Sequence, residues 1–258
     1  MTEKLDRLQS LLRAHAPLLV AYSGGVDSTC LLAIAHRTLG EKVLGVIADS
    51  PSLPRKALAS ALSVARDLRV DVEVIATREL ENRSYVNNPP NRCYFCKAEL
   101  FSQMNALAVK RGFTAIAYGE NADDPADLRP GSRAAAEFAV LAPLKQAGLT
   151  KAEIRDLSKV YGLPTADSPA QPCLSSRIPH GTPVTSEALL LVERGEEMMR
   201  SLGFRIFRVR YLPPCGARVQ VAPDEMPFIV RLGTRLFDAL RQVGFDSIEI
   251  DPQGYRSP

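Results

Sequence analysis

The stretch Pro17–Thr29, PLLVAYSGGVDST, constrains the fold more than any other part of this sequence. Leu18, Leu19, Val20 and Ala21 make a short continuous apolar run, the pattern of a strand buried on both faces. Tyr22 closes the run, and Ser23-Gly24-Gly25 turns the chain into a helical stretch read as Ser28–Leu39. Paired glycines let backbone N–H groups approach a ligand, and the helix that follows adds the positive end of its dipole. Together they form a receptacle for anionic oxygens. Ser23, Ser28 and Thr29 add hydroxyl donors, and Asp27 offers a carboxylate to Mg²⁺.

No Gly-Lys-Ser/Thr follows the glycines, which excludes a Walker A loop. SGGVDST instead resembles the PP-loop of the ATP pyrophosphatases. That resemblance implies ATP as the nucleotide, cleaved between its α- and β-phosphates with transfer of AMP.

Strand and helix patterns alternate beyond this motif: strand Val43–Ala48, helix Pro54–Leu68, strand Val70–Ala76, helix Cys93–Lys110 and strand Thr114–Tyr118. Such alternation predicts an α/β fold, a parallel sheet with helices on both faces. Ligands of such sheets bind at the carboxyl ends of the strands, where SGGVDST, Asp49 and Gly119-Glu120-Asn121 gather. Asp49 is expected beside the nucleoside. Gly119–Gly131 opens with four acids, Glu120, Asp123, Asp124 and Asp127, read either as a solvated acidic loop or as carboxylates, Asp124 among them, for Mg²⁺ on the triphosphate. In the second case Arg129 stands ready for departing pyrophosphate.

Thr150-Lys151-Ala152-Glu153 is a capping box, which predicts a helix over Thr150–Tyr161. Thr165–Pro183 is rich in proline and reads as a shaped loop. From Thr182 the pattern changes to helix Thr185–Leu202, strands Arg205–Leu212 and Gly216–Val221, a largely helical Asp224–Val243, and strand Ser247–Ile250. This predicts a PP-loop domain over 1–180 and a small α+β domain over 181–258. Period two puts Phe207, Val209 and Tyr211 on one strand face and Arg208 and Arg210 on the other. Two arginines on one face in an acid-free stretch point to a bidentate phosphate site.

The five cysteines fall in four settings. Cys30 reads as a small core residue and Cys215 as a turn residue. Cys93 and Cys96 are spaced Cys-x-x-Cys at a helix start, and Cys173 lies in the proline-rich loop. That set suits a cluster one ligand short of four, a zinc site with His180, or a redox dithiol.

SGGVDST, RCYFCK, YGENADD, RPG, APLKQAGLTKAEIRDL and PCLSSRIPHGTPVT follow in an order that resembles the LarE family. These are ATP-dependent sulfur transferases of nickel-pincer nucleotide synthesis for lactate racemase. The resemblance runs from about Ala16 to about Ile250 and implies a substrate, pyridinium-3,5-biscarboxylic acid mononucleotide, whose carboxylates are adenylylated and converted to thiocarboxylates. Members with one cysteine, matching Cys173, sacrifice its sulfur. Members with two more hold a [4Fe-4S] cluster and use a sulfide on its open iron. Cys93, Cys96 and Cys173 imply the cluster type. Arg208 and Arg210 match the family's site for the nucleotide phosphate, with Glu196 or Glu197 nearby. Ser176 and Arg177 help to position the substrate beside Cys173. An acid is usual in the family where Gln220 stands here.

A tRNA thiolation enzyme also joins a PP-loop to three cysteines, but a net charge of +3 and no added RNA-binding module argue against nucleic acid. A sulfur carrier without its own catalysis would not need a reactive thiol beside an acidic loop. No apolar run approaches about 18 residues, and the amphipathic N-terminus lacks a signal-peptide core. A cytoplasmic homo-oligomer without a membrane partner is expected, its self-association resting on the family resemblance alone.

Overall fold

A computed structural model describes residues 2–125, 130–169 and 171–255. In chain order its elements are α1 (Thr2–Ala14), β1 (Leu18–Ala21), α2 (Val26–Leu39), β2 (Val43–Asp49), α3 (Arg55–Asp67), β3 (Val72–Ala76), α4 (Arg83–Val86), α5 (Arg92–Arg111) and β4 (Ala115–Tyr118). They continue with α6 (Pro130–Glu137), α7 (Pro143–Gln146), α8 (Lys151–Val160), α9 (Ser186–Ser201), β5 (Phe207–Leu212), β6 (Gly216–Val221), α10 (Met226–Leu232), α11 (Thr234–Val243) and β7 (Ser247–Ile250). The chain divides into two compact units, Met1–Glu79 with Asn91–Gln171, and Leu80–Pro90 with Pro172–Pro258. The segment around Cys173 and the position of the expected boundary, Gly181, both belong to the second unit.

The first unit is built on a four-stranded parallel sheet in the order β3-β2-β1-β4. The two-residue period of the strands divides its core. Leu18, Val20, Val43 and Ile47 pack on α1, α2, α3 and α8, whereas Leu19, Val46, Ile116 and Tyr118 pack on α5 and α6. This is the PP-loop ATP pyrophosphatase arrangement that the sequence predicts. Because β2 lies on one side of β1 and β4 on the other, the sheet has its switch point at the carboxyl end of β1. There Ala21 is in register with Val46 and Tyr118, so the loop after β1 and the loop after β4 leave the sheet side by side.

In the second unit β5 and β6 form an antiparallel pair, with β7 parallel to β6. Phe207, Val209, Val219 and Val221 face a core closed by Met199 of α9, Ile229 of α10 and Leu236 and Leu240 of α11. The helical stretch after Asp224 is two helices rather than one, because Gly233, at φ +53°, breaks it. The proline-rich loop holds one short 3₁₀ turn, Leu174–Arg177. Among the described residues no helix is long and apolar enough to cross a membrane.

Candidate active site

The turn after β1 is built by two close approaches. Gly24 has φ +74°, and a Cβ there would fall 2.7 Å from the Ala61 Cβ of α3. Gly119, the first residue after β4, would put a Cβ 2.8 Å from the Ser28 backbone nitrogen. Only glycine lets the two loops lie flush against the start of α2. That helix begins at Val26, two residues ahead of the sequence expectation, and its N-cap, Gly25, supplies no side-chain cap. Its first-turn N–H groups therefore face the turn without intrahelical partners. Ser23 and Ser28 hydroxyls lie 3.0 Å apart, the Ser23 N–H donates to Ser28 Oγ at 3.2 Å, and Ser28 Oγ donates to the Gly25 carbonyl at 3.2 Å. Thr29 is fully buried beneath this loop. A Gly24→Ala variant is expected to lose about 1–3 kcal/mol of stability in urea unfolding, because φ is positive and α3 blocks the new methyl.

Asp27, in the first turn of α2, meets a residue 124 positions away. Lys151 Nζ lies 2.9 and 2.8 Å from its two carboxylate oxygens, and Asn121 Nδ2 lies 3.5 Å from one of them. Lys151 is the first residue of α8, and its N–H donates to Asp123 Oδ2 at 2.7 Å. α8 is held in turn by its capping box and by Lys4, whose Nζ reaches Glu153 at 2.7 Å. Lys4 and then the Thr150 N–H draw the Glu153 carboxyl down to about 2, so this anchor stays charged near neutral pH.

The acids after β4 have partners of their own. Burial pushes the Glu120 carboxyl up, but hydrogen bonds from Tyr118, from Ser132 at 2.8 Å and from Lys145 at 3.1 Å outweigh it and hold Glu120 below the usual range. Burial and Glu120 raise the Tyr118 hydroxyl in return. Asp124 Oδ2 accepts the Asn121 N–H at 3.2 Å. Asp49 is ion-paired with Arg55 at the end of β2. Asp127 and Arg129 lie outside the described residues.

In the second unit Arg208 and Arg210 stand on the face of β5 opposite buried Phe207 and Val209. Arg210 Nε donates to Gln220 Oε1 at 2.6 Å, and Gln220 Nε2 donates to Asp251 at 2.7 Å. Arg208 lies 4.7 Å over the Tyr255 ring and donates to its hydroxyl at 3.2 Å. Burial, then the Arg177 guanidinium, draw Arg208 below the usual arginine range. Cys93 and Cys96 lie in the first two turns of α5, one exposed and one half-buried, and Cys173 is half-buried at the head of the 3₁₀ turn. Among the described residues no three His, Cys, Asp or Glu side chains gather closely enough to hold a metal ion. Cys30 is fully buried, and burial pushes its thiol up to about 11, as suits a core residue.

No family model matches the sequence. Three proteins align with it almost end to end. "Uncharacterized protein slr1717" of Synechocystis sp. is 38% identical over 260 residues, covering 100% of this chain and 96% of that protein. "Uncharacterized protein MJ0830" of Methanocaldococcus jannaschii is 26% identical over 258 residues, covering 99% and 98%. Pyridinium-3,5-bisthiocarboxylic acid mononucleotide synthase of Lactiplantibacillus plantarum is 30% identical over 258 residues, covering 100% of this chain and 93% of the synthase. The chain belongs to the LarE family. In this LarE chain the sequence reading placed Asn121 at the strand ends but missed that it and Lys151 meet Asp27. Lys151 left a signal: a cation at the first position of a helix opposes the dipole and needs a partner.

Proposed function

We propose that this protein is an ATP-dependent sulfur transferase. It adenylylates the carboxylates of pyridinium-3,5-biscarboxylic acid mononucleotide and converts them to thiocarboxylates, toward the nickel-pincer cofactor of lactate racemase. The observation that carries this is the gathering of Ser23–Asp27, Asn121 and Lys151 at the sheet's switch point, in a chain aligned end to end with a synthase named for the bisthiocarboxylic product.

Carboxylate is a poor electrophile, and joining it to AMP gives its carbon a good leaving group. A carboxylate oxygen attacks the α-phosphorus, the bond to the bridging oxygen breaks, and pyrophosphate leaves carrying the charge. Backbone N–H groups of the glycine turn and the Lys151 ammonium meet that charge as it develops. The open turn, its hydroxyls and the Asp27 carboxylate fit a Mg²⁺–triphosphate, with Asp27 the residue that would hold the ion. Lys151, paired with Asp27 at 2.8 Å, would offer its ammonium to the phosphates. Asp49 and Gly119 border the nucleotide. Arg208 and Arg210 take the substrate phosphate, which suits planar paired donors.

By the family resemblance Cys93, Cys96 and Cys173 would be the thiolates of a [4Fe-4S] cluster, although among the described residues they do not gather into a metal-binding group; three-thiolate ligation would leave one iron for an external sulfide. The chain works as a homo-oligomer, a proposal that rests on the family resemblance alone.

Anaerobic incubation with ATP, Mg²⁺, inorganic sulfide and the dicarboxylate mononucleotide is expected to give AMP, pyrophosphate and a product with sulfur in place of a carboxylate oxygen. Iron and sulfide analysis should find a cluster that Cys93→Ala abolishes. A fully loaded cluster in that variant would remove Cys93 from the ligand set, and absence of the thiolated product would refute the transferase assignment.

A further inference from the structure

A buried ion pair holds the segment that carries Cys173. The side chains of Arg177 and Glu196 are 4% and 3% exposed. Arg177 Nε donates to Glu196 Oε1 at 2.8 Å and Nη2 to Oε2 at 3.1 Å, a two-pronged pair. The remaining nitrogen, Nη1, donates to the carbonyls of Pro172 at 2.7 Å and Cys173 at 3.0 Å and to Ser176 Oγ at 2.8 Å. All three guanidinium nitrogens are thus engaged with the protein, which leaves Arg177 poorly placed to grip a substrate.

Glu196 extends the tie to the strand of arginines. Its Oε1 accepts the Val209 N–H at 3.4 Å, and Val209 lies between Arg208 and Arg210 on β5. Gly195 makes this approach possible, since a Cβ there would fall 2.8 Å from the Phe245 ring. Arg210 Nη1 closes a second tie, to the Ser176 carbonyl at 3.2 Å. On the 80–90 segment, Tyr85 and Ser175 hydroxyls lie 2.7 Å apart, and Asn88 Nδ2 donates to the carbonyls of Pro179 and Thr182 at 2.8 and 2.9 Å.

We infer that Arg177 and Glu196 are positioning residues that fix the backbone at Cys173 in register with Arg208 and Arg210. They set the spacing between the phosphate of a bound mononucleotide and the sulfur-bearing position. This rests on the proposed roles of Cys173 and the two arginines, and it is independent of ATP chemistry. Stability alone does not account for the pair, because well-packed apolar residues of similar volume often stabilise a core as well as a buried ion pair. What apolar residues lack is the set of donors that Arg177 aims at the Cys173 backbone.

The test is hydrogen exchange on the full chain, comparing wild type with Glu196→Gln and with the apolar double variant Arg177→Met/Glu196→Leu. In wild type the amides of 174–178 are expected to exchange about as slowly as those of α9 and β5. In either folded variant they should exchange at least about tenfold faster while α9 and β5 keep their protection. Thiocarboxylate formation should fall by about 10²-fold in kcat, with KM little changed because Arg208 and Arg210 remain. Unchanged exchange over 174–178 in a folded variant would overturn the inference. So would free exchange there in wild type, whether or not the variants fold. If wild type forms no thiocarboxylate, the proposed function fails while the exchange results still decide the positioning role.

Discussion

Asp27→Asn is expected to slow ATP-dependent pyrophosphate release by about 10²–10³-fold, the scale of removing one group aimed at developing charge. The substitution keeps the shape of the side chain and removes the charge that Lys151 neutralises at 2.8 Å and that would otherwise hold Mg²⁺. Structure should suffer little. An acid in the first turn of a helix contributes only about 0.3–1 kcal/mol, and a half-exposed ion pair adds about as little. Urea unfolding should therefore move by about 1 kcal/mol at most, while pyrophosphate release, followed by a coupled phosphate assay, collapses. A variant that released pyrophosphate at the wild-type rate would exclude Asp27 from the metal and phosphate site.

Cys173→Ser is expected to lower thiocarboxylate formation by at least about 10³-fold, because a neutral hydroxyl neither supplies sulfur nor replaces a soft thiolate on iron. The change is nearly isosteric, and the loop's ties run through the backbone carbonyl of residue 173, its neighbours and Arg177. The fold and the hydrogen-exchange protection of 174–178 should persist. On the proposed order, in which adenylylation precedes arrival of sulfur, pyrophosphate release should continue. Quantifying AMP against thiolated product in one reaction separates the two steps. Undiminished thiolated product in this variant would dissociate Cys173 from sulfur delivery.

The sheet was legible because its strands obey local rules. Leu18–Ala21 and Val43–Ala48 are apolar on both faces, and each is followed by a turn and a helix signal. The glycine turn was legible for the same reason: every residue that shapes it, apart from Ala61 and the loop after β4, lies within seven positions. What escaped was non-local. Nothing near Asp27 foretells Lys151, and nothing in CLSSR foretells Glu196, because those pairings depend on how helices pack on the sheets. α4 and α7 are single turns, too short for periodicity to register. α6 follows the acidic stretch as PGSRAAAE, whose small residues show no apolar stripe. The contacts of the Arg177 guanidinium with Glu196 and the loop backbone were equally beyond local reading.

The most direct test follows oxygen through the reaction. Substrate labelled with ¹⁸O in its carboxylates, incubated with ATP and Mg²⁺ until thiolated product appears, should deliver labelled oxygen into the phosphate of AMP, because the carboxylate oxygen bridges to phosphorus before sulfur displaces it. Unlabelled AMP beside thiolated product would mean that the acid is never joined to the nucleotide, and the account would fall.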